Sequence, residues 1–214
     1  MRKGMLVIIS GPSGSGKGTV VKELTRDDFA LSISMTTREP RPNEVNGKDY
    51  FFVTRDEFLA ARDNGGLLEH AEFVGNMYGT PKNYVEDQIL MGRAVILEID
   101  VDGALQIKEK FKESISIFLI PPSFEELAER LINRKTEDLD TIKRRIKRAT
   151  HEIEYIDKYD YLVINDNLEK TVSQITNIVD SEYLKPHRNK DFFDHIKGEN
   201  YDASTIIFRA NDNS

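Results

Sequence analysis

The chain has 214 residues, 39% of them hydrophobic and 31% charged, and 30 Lys and Arg against 37 Asp and Glu leave a net charge of −7. That length suits one domain with a core of its own, and the acidic balance excludes a general attraction to nucleic acid or anionic lipid, so a bound anion needs a local basic site. With no cysteine there is no disulfide framework, thiolate zinc site or cysteine nucleophile; no apolar run approaches the roughly 20 residues of a membrane span, and a cytoplasmic setting is expected.

Residues 5–9, Met-Leu-Val-Ile-Ile, form an unbroken apolar run that suits a strand buried on both faces. A glycine-rich loop follows, then a helix around 19–25 and a second strand at 29–34. From 35 to 79 the texture changes, punctuated by Pro40, Pro42 and glycines at 47, 65, 66, 75 and 79. Short strands at 50–53 and 68–74 around a helix near 55–64 make this an inserted lobe with hairpin character. Pro81 takes a first-turn position for a helix running to Met91. A second buried strand spans 94–100, followed by a helix at 102–111 and a strand at 115–120. Ser123 opens a helix with Glu126 at capping-box spacing. The stretch 123–157 is charge-dense and helical, with Asp140 and Arg144, and Arg148 and Glu152, placed to pair along one face. A last strand is expected at 161–165 and an amphipathic helix at 168–184. Beyond Pro186 the pattern weakens; 187–214 read as a tail in which 206–208 could pair as a short strand. Strands alternating with helices give an α/β fold with a mainly parallel sheet, interrupted by a mixed lobe and a helical excursion.

Gly11-Pro12-Ser13-Gly14-Ser15-Gly16-Lys17 matches G-x-x-x-x-G-K, and Gly18-Thr19 follow. The motif comes directly after a buried strand and opens a helix, which is the context its mechanism needs. Glycines let backbone N–H groups wrap phosphate oxygens, the helix start adds partial positive charge, and Lys17 supplies a mobile cation near the β- and γ-phosphates. Gly18 stands where the general motif carries a Mg²⁺-binding Ser or Thr, and Thr19 is better placed for an α-phosphate. The metal is therefore expected to have no protein ligand of its own and to be held by nucleotide oxygens and water. Further on, Arg38 and Arg41 lie three apart on a Pro-bounded loop, with Ser34 and Tyr50 as hydroxyl donors. Arginine's planar fork suits a monophosphate, and the bland alternative is a solvated basic loop. Glu98 and Asp100 share one side of the strand end, where parallel sheets bind ligands. The histidines at 70, 151, 187 and 195 form no metal spacing.

Together these blocks resemble the guanylate kinase family, in its small bacterial type. The resemblance rests on the loop 11–19, Ser34-Met-Thr-Thr-Arg38-Glu-Pro-Arg41-Pro, Gly47-Lys-Asp-Tyr50-Phe-Phe and Glu69-His-Ala-Glu-Phe. It continues in Tyr78-Gly-Thr80-Pro, Glu98-Ile-Asp100-Val-Asp-Gly103-Ala and Tyr161-Leu-Val-Ile-Asn165-Asp-Asn167, in the family's order over residues 4–185. It implies a P-loop NTPase-type parallel sheet flanked by helices, with a GMP-binding lobe at 36–86 and a helical lid at 123–157. The core would then be 4–35, 87–122 and 158–185, with 186–214 as a C-terminal tail. The activity implied is transfer of the γ-phosphoryl of Mg·ATP to GMP, giving ADP and GDP, in purine nucleotide metabolism and GMP recycling. ATP and GMP, with dGMP as a second acceptor, are the partners; no nucleic acid or membrane is expected, and the chain would be a monomer or homodimer.

By the same resemblance, Ser34, Arg38, Arg41, Tyr50 and Tyr78 hold the GMP phosphate, and Glu69, Thr80, Glu98 and Asp100 lie on the GMP side. A carboxylate at Glu69 would accept both N1–H and N2–H of guanine, and a site built on such bonds discriminates by about 10⁴ or more. The loop 11–19 and Asn167, as an adenine-edge contact, would bind ATP. Lys17, Arg38 and the lid residues Arg134 and Arg145 would offset charge in transfer; Arg130 is a further candidate, and Arg144, Lys147 and Arg148 read as solvated surface. The acceptor is already an anion at pH 7, so no general base is needed. Asp102 stands where many relatives carry Gln. Two other readings are an interaction module that has lost phosphoryl transfer, which typically lacks an intact loop, and a P-loop kinase for another phosphorylated acceptor such as a ribose phosphate. The second would have no use for Glu69, Thr80 and Asp100.

Overall fold

The computed structural model describes residues 3–73, 75–132 and 139–198. A five-stranded sheet runs β2 (Phe29–Leu31), β7 (Ala94–Glu98), β1 (Met5–Ser10), β8 (Ile115–Ile120), β9 (Tyr161–Ile164), every pair parallel. Alternate residues of β1 point to opposite faces, as the two-residue period of a strand requires. Met5, Val7 and Ile9 join one apolar cluster with α1 (Lys17–Glu23) and α7 (Leu168–Tyr183). Leu6 and Ile8 join another with α3 (Lys82–Leu90) and α4 (Val101–Lys110). Both faces are covered, so the strand is apolar throughout rather than alternating.

A second sheet, in the order β4 (Phe51–Phe52), β3 (Met35–Thr36), β6 (Asn76–Pro81), β5 (Leu67–Phe73), builds the inserted lobe. β5 and β6 form an antiparallel hairpin, which the sequence foresees only in its first arm. β6 contains Gly79 and ends on Pro81, residues that weaken a strand signal, and pairing with β5 overrides them. Pro81 precedes α3 as its N-cap rather than sitting in its first turn. Helix α2 (Arg55–Asp63) crosses the lobe, opened by a full capping box between Thr54 and Glu57. The excursion holds α5 (Phe124–Ile132) and α6 (Leu139–Ile153), packed through a small separate cluster of Leu127, Leu131, Ile142 and Ala149.

Several boundaries move. The first helix starts at Lys17, so the loop's lysine is its first residue. Asp100 does not end a strand: β7 stops at Glu98, and Asp100 caps α4, its Oδ1 accepting from Gly103 N at 2.9 Å. Ser123 accepts from Glu126 N as foreseen (3.0 Å). Asp140 lies 3.8 Å from Lys143, and Arg144 donates to the Thr141 hydroxyl, so the expected Asp140–Arg144 pair is replaced. The stretch after Pro186 is not patternless: α8 (Lys190–Gly198) follows a 3-10 turn and exposes Phe192, Phe193 and Ile196. The proposed strand at 206–208 lies outside the described residues. No described helix is long and apolar enough to cross a membrane.

Candidate active site

The glycine-rich loop joins β1 to α1 at the carboxyl edge of the parallel sheet, where α/β sheets place their ligands. Gly11 adopts φ 146°, and a Cβ there would come 2.1 Å from the carbonyl oxygen of Leu119, so only glycine lets the loop press on β8. Asn165 Nδ2 donates to the carbonyl of Ser15 at 2.9 Å. Arg130 donates to that carbonyl (3.4 Å) and to the carbonyl of Asn165 (2.9 Å), with Glu126 paired to its guanidinium. The loop is thus braced from β9 and α5. Asn165 stood in the sequence only as part of the block 161–167; its contact with the loop, 150 residues away in sequence, is visible only in three dimensions. Lys17 Nζ donates to the carbonyls of Gly11 (2.7 Å) and Pro12 (3.2 Å), which holds the ammonium over its own loop.

Two adjoining cavities open beside the loop. The first, about 230 Å³, is lined by Gly11, Ser34, Glu69 and Asp100. The second, about 660 Å³, is lined by Arg38 and Arg41 of the lobe and by Gly14, Gly16, Gly18 and Thr19 of the loop. Ser13, Lys17, Tyr50, Tyr78, Glu98 and Arg145 line both. Residues far apart in the chain therefore converge on one cleft between the loop, the lobe and α6. Pro12 and Ser15 are buried in the loop. Thr80 stands behind Glu69 rather than on the cavity wall. Asn167 caps α7 through Lys170 N (2.9 Å), and its neighbours Asn165 and Asp166 line a groove with Thr19 and Arg130. Arg134 lies outside the described residues.

Glu69 is 4% exposed, and its Oε1 accepts from the Thr80 hydroxyl at 2.7 Å. Burial pushes its carboxyl up to about 7, the Thr80 bond opposes the rise, and the charge of Asp100 adds to it. A Cβ on Gly103 would lie 2.9 Å from Glu69 Oε2, so a larger residue there would displace this buried carboxylate.

Arg38 is gripped by Glu44: Nη2 reaches both carboxylate oxygens at 2.9 Å. Its guanidinium carbon lies 5.4 Å from the Tyr50 ring centroid and 5.8 Å from that of Phe52. Burial works against the Arg38 charge, but Glu44 outweighs it and holds the group above its usual value. Glu44 also accepts from Arg41 N at 2.7 Å, and these bonds lower its carboxyl although burial opposes them. Glu44 was missed in the sequence; an acid three residues after the second arginine was the available signal. Burial first, then the Glu98 charge, raises the Tyr50 hydroxyl.

Arg148 is not solvated surface. It donates to Asp100 (3.0 Å) and to Glu152 (2.8 Å). Glu152, 7% exposed, accepts in turn from Ser13 N at 3.3 Å.

Residues 3–182 match the profile of the family described as Guanylate kinase. The chain belongs to the guanylate kinase family. The guanylate kinase of Oceanobacillus iheyensis is 51% identical over 188 residues, 87% of this chain and 91% of that one. That of Clostridium tetani is 48% identical over 192 residues, 89% and 92% of the two chains. The crystal structure of guanylate kinase from Anaplasma phagocytophilum superposes with a TM-score of 0.74 at 39% identity, covering 87% of this chain and 90% of that one. A parallel sheet flanked by helices and a phosphate loop after β1 are thus the guanylate kinase frame, and this chain is a nucleotide-binding kinase of that frame.

Proposed function

We propose that this cleft carries out the reaction of its family, transfer of the γ-phosphoryl of ATP to GMP, with the residues above in specific roles. The observation that carries the reading is a single cleft lined by Lys17 of the phosphate loop and by the buried carboxyl of Glu69. Glu69, ionised, accepts two donors from the guanine edge, and Thr80 fixes its rotamer. Adenine offers the opposite pattern and leaves a buried carboxylate unpaired, which is costly. Arg38, Arg41, Ser34, Tyr50 and Tyr78 hold the acceptor phosphate; Glu44 keeps the Arg38 fork oriented until phosphate takes its place. Asp100 supports the base side. The loop 11–19 wraps the ATP phosphates, and Arg145 and Arg134 add positive charge from the excursion. Asn167 serves the adenine edge.

The acceptor phosphate is an anion at neutral pH, so catalysis is alignment and charge neutralisation, with no proton to remove first. Residues 36–86 act as a GMP lobe and 123–157 as a lid, on a core of 4–35, 87–122 and 158–185. Closing them excludes water, which would otherwise accept the phosphoryl group.

Mg²⁺ belongs to this reading as the companion of ATP. The residues fit a hydrated ion: the Glu98 carboxylate lies 3.4 Å from the Cβ position at Gly18, beside the loop. The ion would be held mostly by nucleotide oxygens and water, as Mg²⁺ beside nucleotide phosphates commonly is. When bound it would neutralise phosphate charge.

Nucleotide titration followed by melting temperature tests the roles, because a ligand of the folded state raises apparent stability. ATP and GMP are each expected to raise Tm, and AMP, CMP and UMP at the same concentration to leave it nearly unchanged. Equal shifts for all four monophosphates would overturn the base-reading role of Glu69.

A further inference from the structure

Helix α6 carries two arginines of different fate. Arg145 lines both cavities. Arg148, three residues on and so on the same helical face, makes a set of ion pairs with the core. Its Nη2 reaches Asp100 Oδ2 at 3.0 Å and lies 3.5 Å from Asp102 Oδ2. Its Nε donates to Glu152 Oε1 at 2.8 Å. Each of the two nearer acids spends its other oxygen on a backbone N–H. Asp100 Oδ1 accepts from Gly103 N (2.9 Å), and Glu152 Oε2 accepts from Ser13 N (3.3 Å). The result is a continuous chain of charge-assisted bonds from the start of α4 to the phosphate loop, with the Arg148 fork at its centre.

Helix support does not account for this arrangement. An exposed i,i+4 pair contributes little, and the orientation with the acid C-terminal to the base is the weaker one. Here the Glu152 side chain is 9% exposed, and the other two acids around Arg148, Asp100 and Asp102, come from another element. A planar fork can serve Asp100 and Glu152 at once, which a lysine point charge cannot do with the same geometry.

We propose that Arg148 is a positioning residue that locks α6 between the acceptor-side Asp100 and the phosphate loop, and thereby sets Arg145 over the cleft. This rests on the phosphoryl-transfer reading above. Arg148 borders the first cavity beside Asp100 and Glu152, but its fork is committed to those two acids; its role is to fix the groups on either side of the transferred phosphoryl relative to one another. Asp102 widens the anionic seat that receives the fork.

Steady-state kinetics of the full chain test this, with wild type, Arg148→Ala, Arg148→Lys, Glu152→Gln and the Arg148→Ala/Glu152→Gln double variant. Arg148→Ala is expected to lower kcat tenfold or more while KM for ATP and GMP each change less than about threefold. Arg148→Lys is expected to fall between wild type and Ala, with an unchanged Tm. The double variant is expected to be no slower than the slower single variant, since both changes cut the same chain of bonds. A kcat within twofold of wild type for Arg148→Ala, or losses that multiply in the double variant, would overturn the proposal. If Arg148→Ala does not fold, Arg148→Lys decides: several-fold slower turnover at unchanged Tm supports the lock, and wild-type turnover contradicts it. Wild-type protein that fails to phosphorylate GMP would defeat the underlying reading, a result distinct from active wild type with an indifferent Arg148.

Discussion

Lys17 and Glu69 line the same cavity and lend themselves to different tests. Removing the Lys17 ammonium takes a full charge from the phosphate loop, so Lys17→Ala is expected to lower turnover about 10³-fold or more while the melting curve stays close to wild type. Turnover within a few-fold of wild type would show that the loop lysine does not act on phosphate. Glu69 reads the base only when ionised, and its carboxyl lies at about 7. Below pH 7 the folded protein holds a proton there that must leave before guanine is accepted. KM for GMP should therefore rise about tenfold per unit as pH falls below 7, while KM for ATP stays level; Glu69→Gln should weaken GMP use at every pH and flatten that slope. The stability consequence has the opposite sense. A carboxyl raised in the folded state from 4.5 to about 7 costs stability progressively as pH climbs through that window, so the Tm of Glu69→Gln relative to wild type should increase from pH 5 to pH 8. A pH-independent difference would mean that Glu69 titrates normally. The two phosphate-side arginines were legible as residue types at a telling spacing. The Arg148–Glu152 pair was legible from its spacing of four, and it forms; Glu44 was not legible, because an acid among many in a chain with 37 declares nothing until its partner is known.

Among the elements, the strands buried on both faces were the most legible. β1 and β8 match their predicted spans closely, since double-sided burial writes an unbroken apolar run into the chain. β6 was illegible because its formation depends on a partner strand rather than on its own composition. The end of β7 was misread for a related reason: Asp100 continues the strand's spacing, yet its carboxylate is better used as the cap of α4. Capping also gives a clean stability test. Thr54 and Glu57 exchange cap bonds at the start of α2, so Thr54→Ala should cost about 1 kcal/mol, a Tm loss of about 2–4 °C, with both KM values unchanged. A loss below 1 °C would mean the cap is redundant. Among the described residues, the buried apolar cluster of the excursion has four members, separate from the two large clusters that flank the main sheet. Leu127→Ala should therefore loosen α5 and α6 first, seen as faster amide hydrogen exchange in those helices with β1 and β7 still protected. Uniform acceleration across the sheet would show that the excursion is an integral part of the core.

At the scale of the whole molecule, an acidic chain binds two polyanionic nucleotides by gathering its basic groups into one cleft. Lys17, Arg38, Arg41 and Arg145 come from three separate segments, and only the folded topology makes them neighbours. The described chain ends in α8, which exposes Phe192, Phe193 and Ile196, and no α8 residue lines either cavity of the cleft. The central claim is that this cleft moves a phosphoryl group from ATP to a monophosphate chosen by its guanine base. The most direct measurement is coupled ADP release with Mg·ATP and GMP, run in parallel with AMP, CMP and UMP. Turnover with GMP exceeding that with each other acceptor by about 10³-fold or more is the predicted result. Comparable turnover with any of the other three, or none with GMP in protein that still binds ATP, would contradict it.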